Sequence, residues 1–242
     1  MVFICNKCGI CCKELRSLHA CLTPEQLEEF KNSVQQKNLS GPIYCLASQD
    51  MFTFIIFEQE IEPLQRAARD NGIELKIKPY TAFYDDYANT WVVLNWFLDH
   101  DDCPFLTDSG CSVYNIRPLA CRAFPIQPKF FMEEGSKNNI SVSDVFGTKC
   151  PLISRDFIGR GVRDLLSDFG ECVVAAKTFA SRCRYQREMI DIAVSNSFWI
   201  RLHRGRMPLD KEHYQPAIEY LSKLGTLKKN KLEIWKHVGE KG

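Results

Sequence analysis

Four cysteines fall within eight positions near the N-terminus, in the pattern Cys5-x-x-Cys8-x-x-Cys11-Cys12. Cysteine thiolates are common ligands of structural zinc and of the iron in iron–sulfur clusters. A free cysteine can also be a small core residue, because its thiol packs like an apolar group. Core packing does not require thiols at regular spacings of three around Gly9, so the pattern indicates metal coordination.

A second group of cysteines lies further along the chain, and proline or glycine accompanies its members, as in Cys103-Pro104 and Gly110-Cys111. Proline stiffens a loop and glycine permits a tight turn, which suits ligands that must be held near one geometry. Arg117 and Arg122 fall among these cysteines, and we expect them to contact the cofactor, because cations offset the charge of clustered thiolates. A solvated or salt-bridged position is the alternative for both arginines. The predicted metal ligands are Cys5, Cys8, Cys11, Cys12, Cys103, Cys111, Cys121 and Cys150.

The spacing of Cys5, Cys8 and Cys11 matches the first three ligands of the bacterial ferredoxin pattern, in which the fourth cysteine precedes a proline. Cys103 and Cys150 both precede a proline and are candidates for that fourth ligand. Eight thiols would satisfy two four-thiolate centres, and one cluster with spare thiols is equally compatible with the sequence. We therefore predict an iron–sulfur cluster, of the 4Fe–4S type.

Zinc is the alternative metal, because structural zinc sites use pairs of cysteines two residues apart. Cys5-x-x-Cys8 supplies one such pair, but the later cysteines are spaced more widely than a second pair requires. Thiolates suit both metals, so the softness of the ligands does not discriminate between them.

The cysteine blocks resemble those of the YkgJ-like cysteine-cluster family, also described as the CxxCxxCC family of zinc- or iron-chelating domains. The resemblance implies a metal-binding domain and spans about residues 1–165. A related similarity, to the flagellin lysine N-methylases, implies an iron–sulfur-dependent protein lysine N-methyltransferase as an alternative function. Whether the chain is an enzyme stays open, and no residue is identified as a catalytic base. The matching blocks are Cys5-x-x-Cys8-Gly9-x-Cys11-Cys12, Cys103-Pro104-Phe105-Leu106, Gly110-Cys111-x-Val113-Tyr114, Arg117-Pro118, Cys121-Arg122-x-Phe124-Pro125 and, more weakly, Cys150-Pro151 and Gly159-Arg160-Gly161.

The composition is that of an ordinary globular protein, with 242 residues, 45% hydrophobic residues, 12 cysteines and a net charge of +1. This balance of charge gives no reason to expect a nucleic-acid partner. The apolar runs are too short to cross a membrane, and the start of the chain lacks the features of a signal peptide. We therefore expect a cytoplasmic protein with reduced thiols and no membrane contact. A protein substrate or a redox partner is the expected interaction.

The hydrophobic pattern predicts an α+β fold, in which a small cysteine-rich domain with few short strands precedes a helical extension. The domain boundary is placed between a metal-binding domain over residues 1–157 and a helical region over residues 158–242. Strands are predicted at 51–57, 73–77 and 90–98, and helices at 23–34, 58–71, 162–169, 171–199 and 208–224. The remaining cysteines, Cys21, Cys45, Cys172 and Cys183, lack the neighbours of the metal-ligand group and are predicted to be structural.

Overall fold

A computed structural model describes residues 3–13, 15, 43–45, 54–85, 89–126, 152, 162–195 and 214–223. The described part of the chain contains both helices and antiparallel sheet, which confirms the α+β class. Its strands are β1 (Ile43–Cys45), β2 (Ile55–Ile56), β3 (Ile77–Asp85), β4 (Thr90–Leu98), β5 (Leu106–Thr107), β6 (Gly110–Cys111) and β7 (Tyr214–Pro216). Its α-helices are α1 (Glu58–Asp70), α2 (Leu119–Ala123), α3 (Val162–Ser195) and α4 (Ala217–Lys223).

The central sheet is built around the antiparallel hairpin of β3 and β4. β1 pairs with the outer edge of β3, so the strand order is β1-β3-β4-β2. Along its other edge β4 pairs antiparallel with β2 and, nearer the start of the strand, parallel with β7. The short hairpin of β5 and β6 forms a separate sheet immediately after β4.

Both faces of the β3–β4 hairpin are covered by helices. On one face, Leu64 and Ala68 of α1 pack in a core cluster with Trp91 and Val93. On the other face, the ring of Tyr220 in α4 lies 6.1 Å from the ring of Phe83. Residues 91–98 of β4 are buried without a break, because the strand contacts helices on both sides.

The long helix α3 brings the C-terminal half of the chain against the first half. Phe169, Val173 and Ala176 of α3 share a core cluster with Leu119 and Ala123 of α2. Further along α3, the buried Gln186 donates from Nε2 to the carbonyl oxygen of Leu94, at 2.8 Å. The predicted boundary at residue 157 stays a prediction, and elements from both sides of it share this core. None of the helices in the described ranges is long and apolar enough to cross a membrane.

The structure confirms several predicted elements and corrects others. Helix α1 and strand β4 occupy almost the predicted ranges, and α3 has non-helical backbone angles at Phe169, next to the predicted break. The predicted strand at 73–77 is wrong, because only Ile77 belongs to a strand and Ile73 and Leu75 pack against the core without ladder pairing. The described part of the predicted strand at 51–57 contains only β2. The predicted helix at 23–34 lies outside the described residues.

Candidate metal centre

Seven cysteines line one cavity of about 80 Å³. Four belong to the first cysteine segment (residues 5–12) and three to the second cysteine segment (residues 103–121). The fold therefore brings together residues that are far apart in the sequence. The wall of the cavity is completed by apolar side chains, among them Phe105, Val113 and Leu98. Cys150, the eighth predicted ligand, lies outside the described residues. The seven are Cys5, Cys8, Cys11, Cys12, Cys103, Cys111 and Cys121.

The first cysteine segment turns back on itself through two residues with positive φ, Lys7 at 60° and Gly9 at 75°. Gly9 is required there, because a Cβ atom would lie 2.5 Å from Leu106 Cδ1. A 3-10 turn over Ile10–Cys12 follows, and the backbone N–H of Lys7 points at Cys5 Sγ, 3.4 Å away. A backbone N–H directed at sulfur would help to stabilise a metal-bound cysteine at this position.

Hydrogen bonds hold both ends of this segment to the rest of the molecule. At its start, the N–H of Phe3 donates to the carbonyl oxygen of Asp168 in α3, at 2.5 Å. The Phe3 ring packs on Phe169, with 5.1 Å between ring centroids. At its end, the N–H of Cys103 donates to the carbonyl oxygen of Cys12, at 2.7 Å. Residues 3–12 therefore form a strap over the cavity that is held by hydrogen bonds at both ends.

The second segment presents its thiols from the β5–β6 hairpin and from α2. Gly110, which precedes Cys111, has a φ of 105°, and a Cβ atom there would lie 2.7 Å from the Cβ of Lys7. This close approach places the hairpin directly against the turn of the first segment. Cys121 lies on α2, whose residues Leu119 and Ala123 are buried in the core.

The thiols alter one another's affinity for protons, which shows that they are close together. A hydrogen bond with Cys103 is the main cause that raises the pKa of Cys12 to about 12. A hydrogen bond with Cys12, followed by burial, raises the pKa of Cys11 far above its ordinary value. Burial, and then the neighbouring thiols of Cys12 and Cys11, raises the pKa of Cys121. These three thiols are therefore neutral at pH 7 without a metal, and binding of a metal must displace their protons.

Two cations that line the cavity also contact one aromatic ring. The guanidinium carbon of Arg117 is 3.7 Å from the ring centroid of Tyr114, and Lys7 Nζ is 4.6 Å from the same centroid. Arg117 Nε also donates to the carbonyl oxygen of Tyr114, at 3.0 Å. The guanidinium acts to lower the pKa of the nearby thiols Cys11 and Cys121, against the larger effects that raise it.

The two arginines singled out in the sequence therefore differ in position. Arg117 lines the cavity, whereas Arg122 is exposed and is not among the lining residues. The charge of Arg122 acts instead on the buried carboxylate of Glu60. Lys7 and Glu60 were not identified from the sequence, because only their three-dimensional contacts distinguish them from surface residues. Tyr114 belongs to one of the matching sequence blocks, but its contact with the two cations was not predicted.

The donor set fits a metal that prefers sulfur, because cysteines supply most of the possible metal ligands among the lining residues. Within the described residues, no three cysteine, histidine or carboxylate side chains already stand in an arrangement that could hold a metal ion. The seven thiols nevertheless line the same cavity, so the fold brings the possible ligands together.

Two of the cysteines predicted to be structural lie in or against the core. Cys172 is buried among the α2–α3 contacts, and Cys183 packs against the same cluster. Cys21 lies outside the described residues, and the side chain of Cys45 is not described. His100, which precedes Cys103 in the sequence, accepts a 2.8 Å hydrogen bond at Nε2 from the backbone N–H of Lys76.

With this geometry established, comparison with known families defines the class of the protein. The chain belongs to the CxxCxxCC family, described as "putative zinc- or iron-chelating domain", which it matches over residues 4–142. The YkgJ-like family is this same domain, so the resemblance seen in the sequence is confirmed. No curated protein matches the chain, and no solved structure matches it. The similarity to the flagellin lysine N-methylases is not confirmed.

Proposed function

We propose that this chain is an iron–sulfur protein that holds a 4Fe–4S cluster through thiolates from both cysteine segments. When bound, such a cluster exchanges single electrons, so the protein would serve as a redox module or use the cluster to hold its fold. A redox partner would be another protein. The ligands would be drawn from Cys5, Cys8, Cys11, Cys12, Cys103, Cys111, Cys121 and Cys150.

The observation that carries this proposal is the volume of the cavity that the thiols line. Seven cysteines line it, but a structural zinc ion and a 4Fe–4S cluster each take four thiolates, so the number of thiols does not distinguish them. The cavity volume is about 80 Å³, whereas about 10–15 Å³ of comparable space suffices for one water molecule. A cluster of several atoms needs such room, and a single zinc ion held between sulfur atoms does not.

The electrostatics of the cavity also support a centre with excess negative charge. Arg117 and Lys7 bring two positive charges to the rim, and the N–H of Lys7 is directed at Cys5 Sγ. Cations and N–H groups near the sulfur atoms stabilise a thiolate-bound cluster and adjust its reduction potential. Cys8 is exposed, so a centre bound through it would have one edge near the protein surface, where an electron could pass to a partner.

The experiment that tests the proposal is an optical spectrum of protein purified without oxygen, combined with analysis for iron, sulfide and zinc. We expect broad visible absorbance from iron–thiolate charge transfer, together with matching amounts of iron and sulfide. A colourless protein that contains zinc near stoichiometry would overturn the proposal and make the site structural. Binding of S-adenosylmethionine is measured separately by calorimetry, and an absence of heat at high ligand concentration would count heavily against the methyltransferase alternative.

A further inference from the structure

The short helix α2, which carries Cys121, begins without a capping side chain of its own. Its N-cap is Pro118, which provides no side-chain hydrogen bond. The first N–H of the helix, that of Leu119, instead donates to Glu60 Oε1 at 2.8 Å, across 59 residues of sequence. An acidic group at this end of a helix satisfies an otherwise unpaired N–H and interacts favourably with the helix dipole. Glu60 therefore caps α2 from a different helix.

Glu60 lies where α1, α2 and α3 meet, and its side chain is only 12% exposed. Its second oxygen, Oε2, accepts the N–H of Phe57 at the start of α1, at 2.9 Å. Arg182 of α3 places its Nη1 atom 3.9 Å from Oε1. Burying a carboxylate is costly unless it is paired and hydrogen-bonded, and here both oxygens accept backbone N–H groups. The residue thus joins three helices at one point.

The N–H group that Glu60 caps, that of Leu119, lies between two residues that line the thiol cavity. Arg117 lies two residues before Leu119, and Cys121 lies two residues after it. We infer that Glu60 is a positioning residue of the metal centre, which fixes the start of α2 and so directs Cys121 and Arg117 into the cavity. Glu60 does not line the cavity and is not a ligand. This inference rests on the proposed metal-binding function.

The test uses the full chain in its metal-free form, with Zn²⁺ and Co²⁺ as probes. Zn²⁺ affinity is measured by competition with a chelator, and thiolate coordination is measured from the charge-transfer absorbance of bound Co²⁺. We expect Glu60→Gln to lower Zn²⁺ affinity by roughly tenfold, as is typical when an outer partner of a ligand is lost. The Co²⁺ absorbance per bound ion should also fall, because Cys121 no longer reaches the metal.

Glu62→Gln is the matched control. Glu62 lies on the same helix, but it is exposed and forms an i,i+4 pair with Arg66 at 2.7 Å. This variant should bind Zn²⁺ and Co²⁺ as the wild type does. If both substitutions lower the affinity equally, the effect is a general one of the helix and the inference fails.

A double-mutant cycle with Cys121→Ser separates positioning from loss of stability. If Glu60 acts through Cys121, Glu60→Gln should cause little further loss of affinity once Cys121 is replaced. Losses that simply add would overturn the inference. Should Glu60→Gln fail to fold, Glu60→Asp keeps the charge but is too short for Leu119, and unchanged affinity in that variant would equally overturn it. A wild type that binds neither ion and contains neither iron nor sulfide after purification without oxygen contradicts the proposed function itself, whereas a wild type that binds while Glu60→Gln is unaffected contradicts only the positioning role.

Discussion

The contact between Gly110 and Lys7 allows a quantitative prediction about how the two cysteine segments are held together. Gly110 has a φ of 105°, and an added Cβ would lie 2.7 Å from Lys7 Cβ and 3.0 Å from the Lys7 carbonyl oxygen. Backbone strain of this kind in a non-glycine residue costs about 1–3 kcal/mol. An added methyl group in a packed contact costs about 1–3 kcal/mol more. Gly110→Ala should therefore lower the free energy of unfolding by roughly 2–6 kcal/mol.

Gly72 offers a control with positive φ and open surroundings. Its φ is 65°, and an added Cβ would meet no atom within 4 Å. Gly72→Ala should therefore show the conformational cost alone, about 1–2 kcal/mol. Urea unfolding of the metal-free proteins measures both values.

Gly110→Ala should also weaken Zn²⁺ binding, since Lys7 lies between Cys5 and Cys8 and its displacement moves both thiols. Gly72→Ala should leave the Zn²⁺ affinity unchanged, because Gly72 follows α1 and does not line the cavity. Equal destabilisation by the two substitutions, or full metal affinity in Gly110→Ala, would show that the approach of the hairpin to the strap does not hold the centre together.

Further predictions concern the thiols and one buried hydroxyl. Cys8→Ser and Cys121→Ser should each reduce the amount of bound metal measured by elemental analysis. Cys183→Ser should retain the metal, because Cys183 packs against the core. Equal losses from all three substitutions would contradict the assignment of the cysteines. Burial, followed by the hydrogen bond to Asp85, raises the pKa of Tyr220, so the native state keeps a proton that an unfolded tyrosine loses near a pKa of about 10. The free energy of unfolding should therefore fall as the pH rises above about 10. This decline should be less steep in Tyr220→Phe, and identical slopes in urea titrations of the two proteins would count against the pKa shift.

The parts of the fold that the sequence predicted are those with a strong local pattern. The dense apolar run at 90–98 gave β4 with its observed bounds, and the amphipathic pattern from Glu58 gave α1. Strand β3 was missed because Pro79 interrupts its pattern, and the structure accommodates this region with an irregular register between Pro79 and Thr81. Strand β7 was missed because its three residues become a strand only by pairing with β4.

The same distinction applies to the candidate site. Residue type and spacing identified the thiols, and the fold places seven of them around one cavity. Sequence spacing could not identify Glu60, because Glu60 caps the start of α2 through a contact between residues that are 59 positions apart. The stacking of Lys7 and Arg117 on Tyr114 likewise depends on the strap lying over the hairpin. Long-range contacts of this kind leave no periodic signal in the sequence.

The sharing of one core by α2 and α3 determines how much of the chain can act as an independent unit. The segment that matches the family ends at residue 142, and α3 begins at Val162. A fragment cut at the end of the match would retain the seven thiols that line the cavity but would expose Leu119 and Ala123, which α3 now covers. It would also lose the Asp168 carbonyl that receives the N–H of Phe3. The family match therefore covers the segment that carries these thiols, whereas the core against which this segment packs also includes residues of α3.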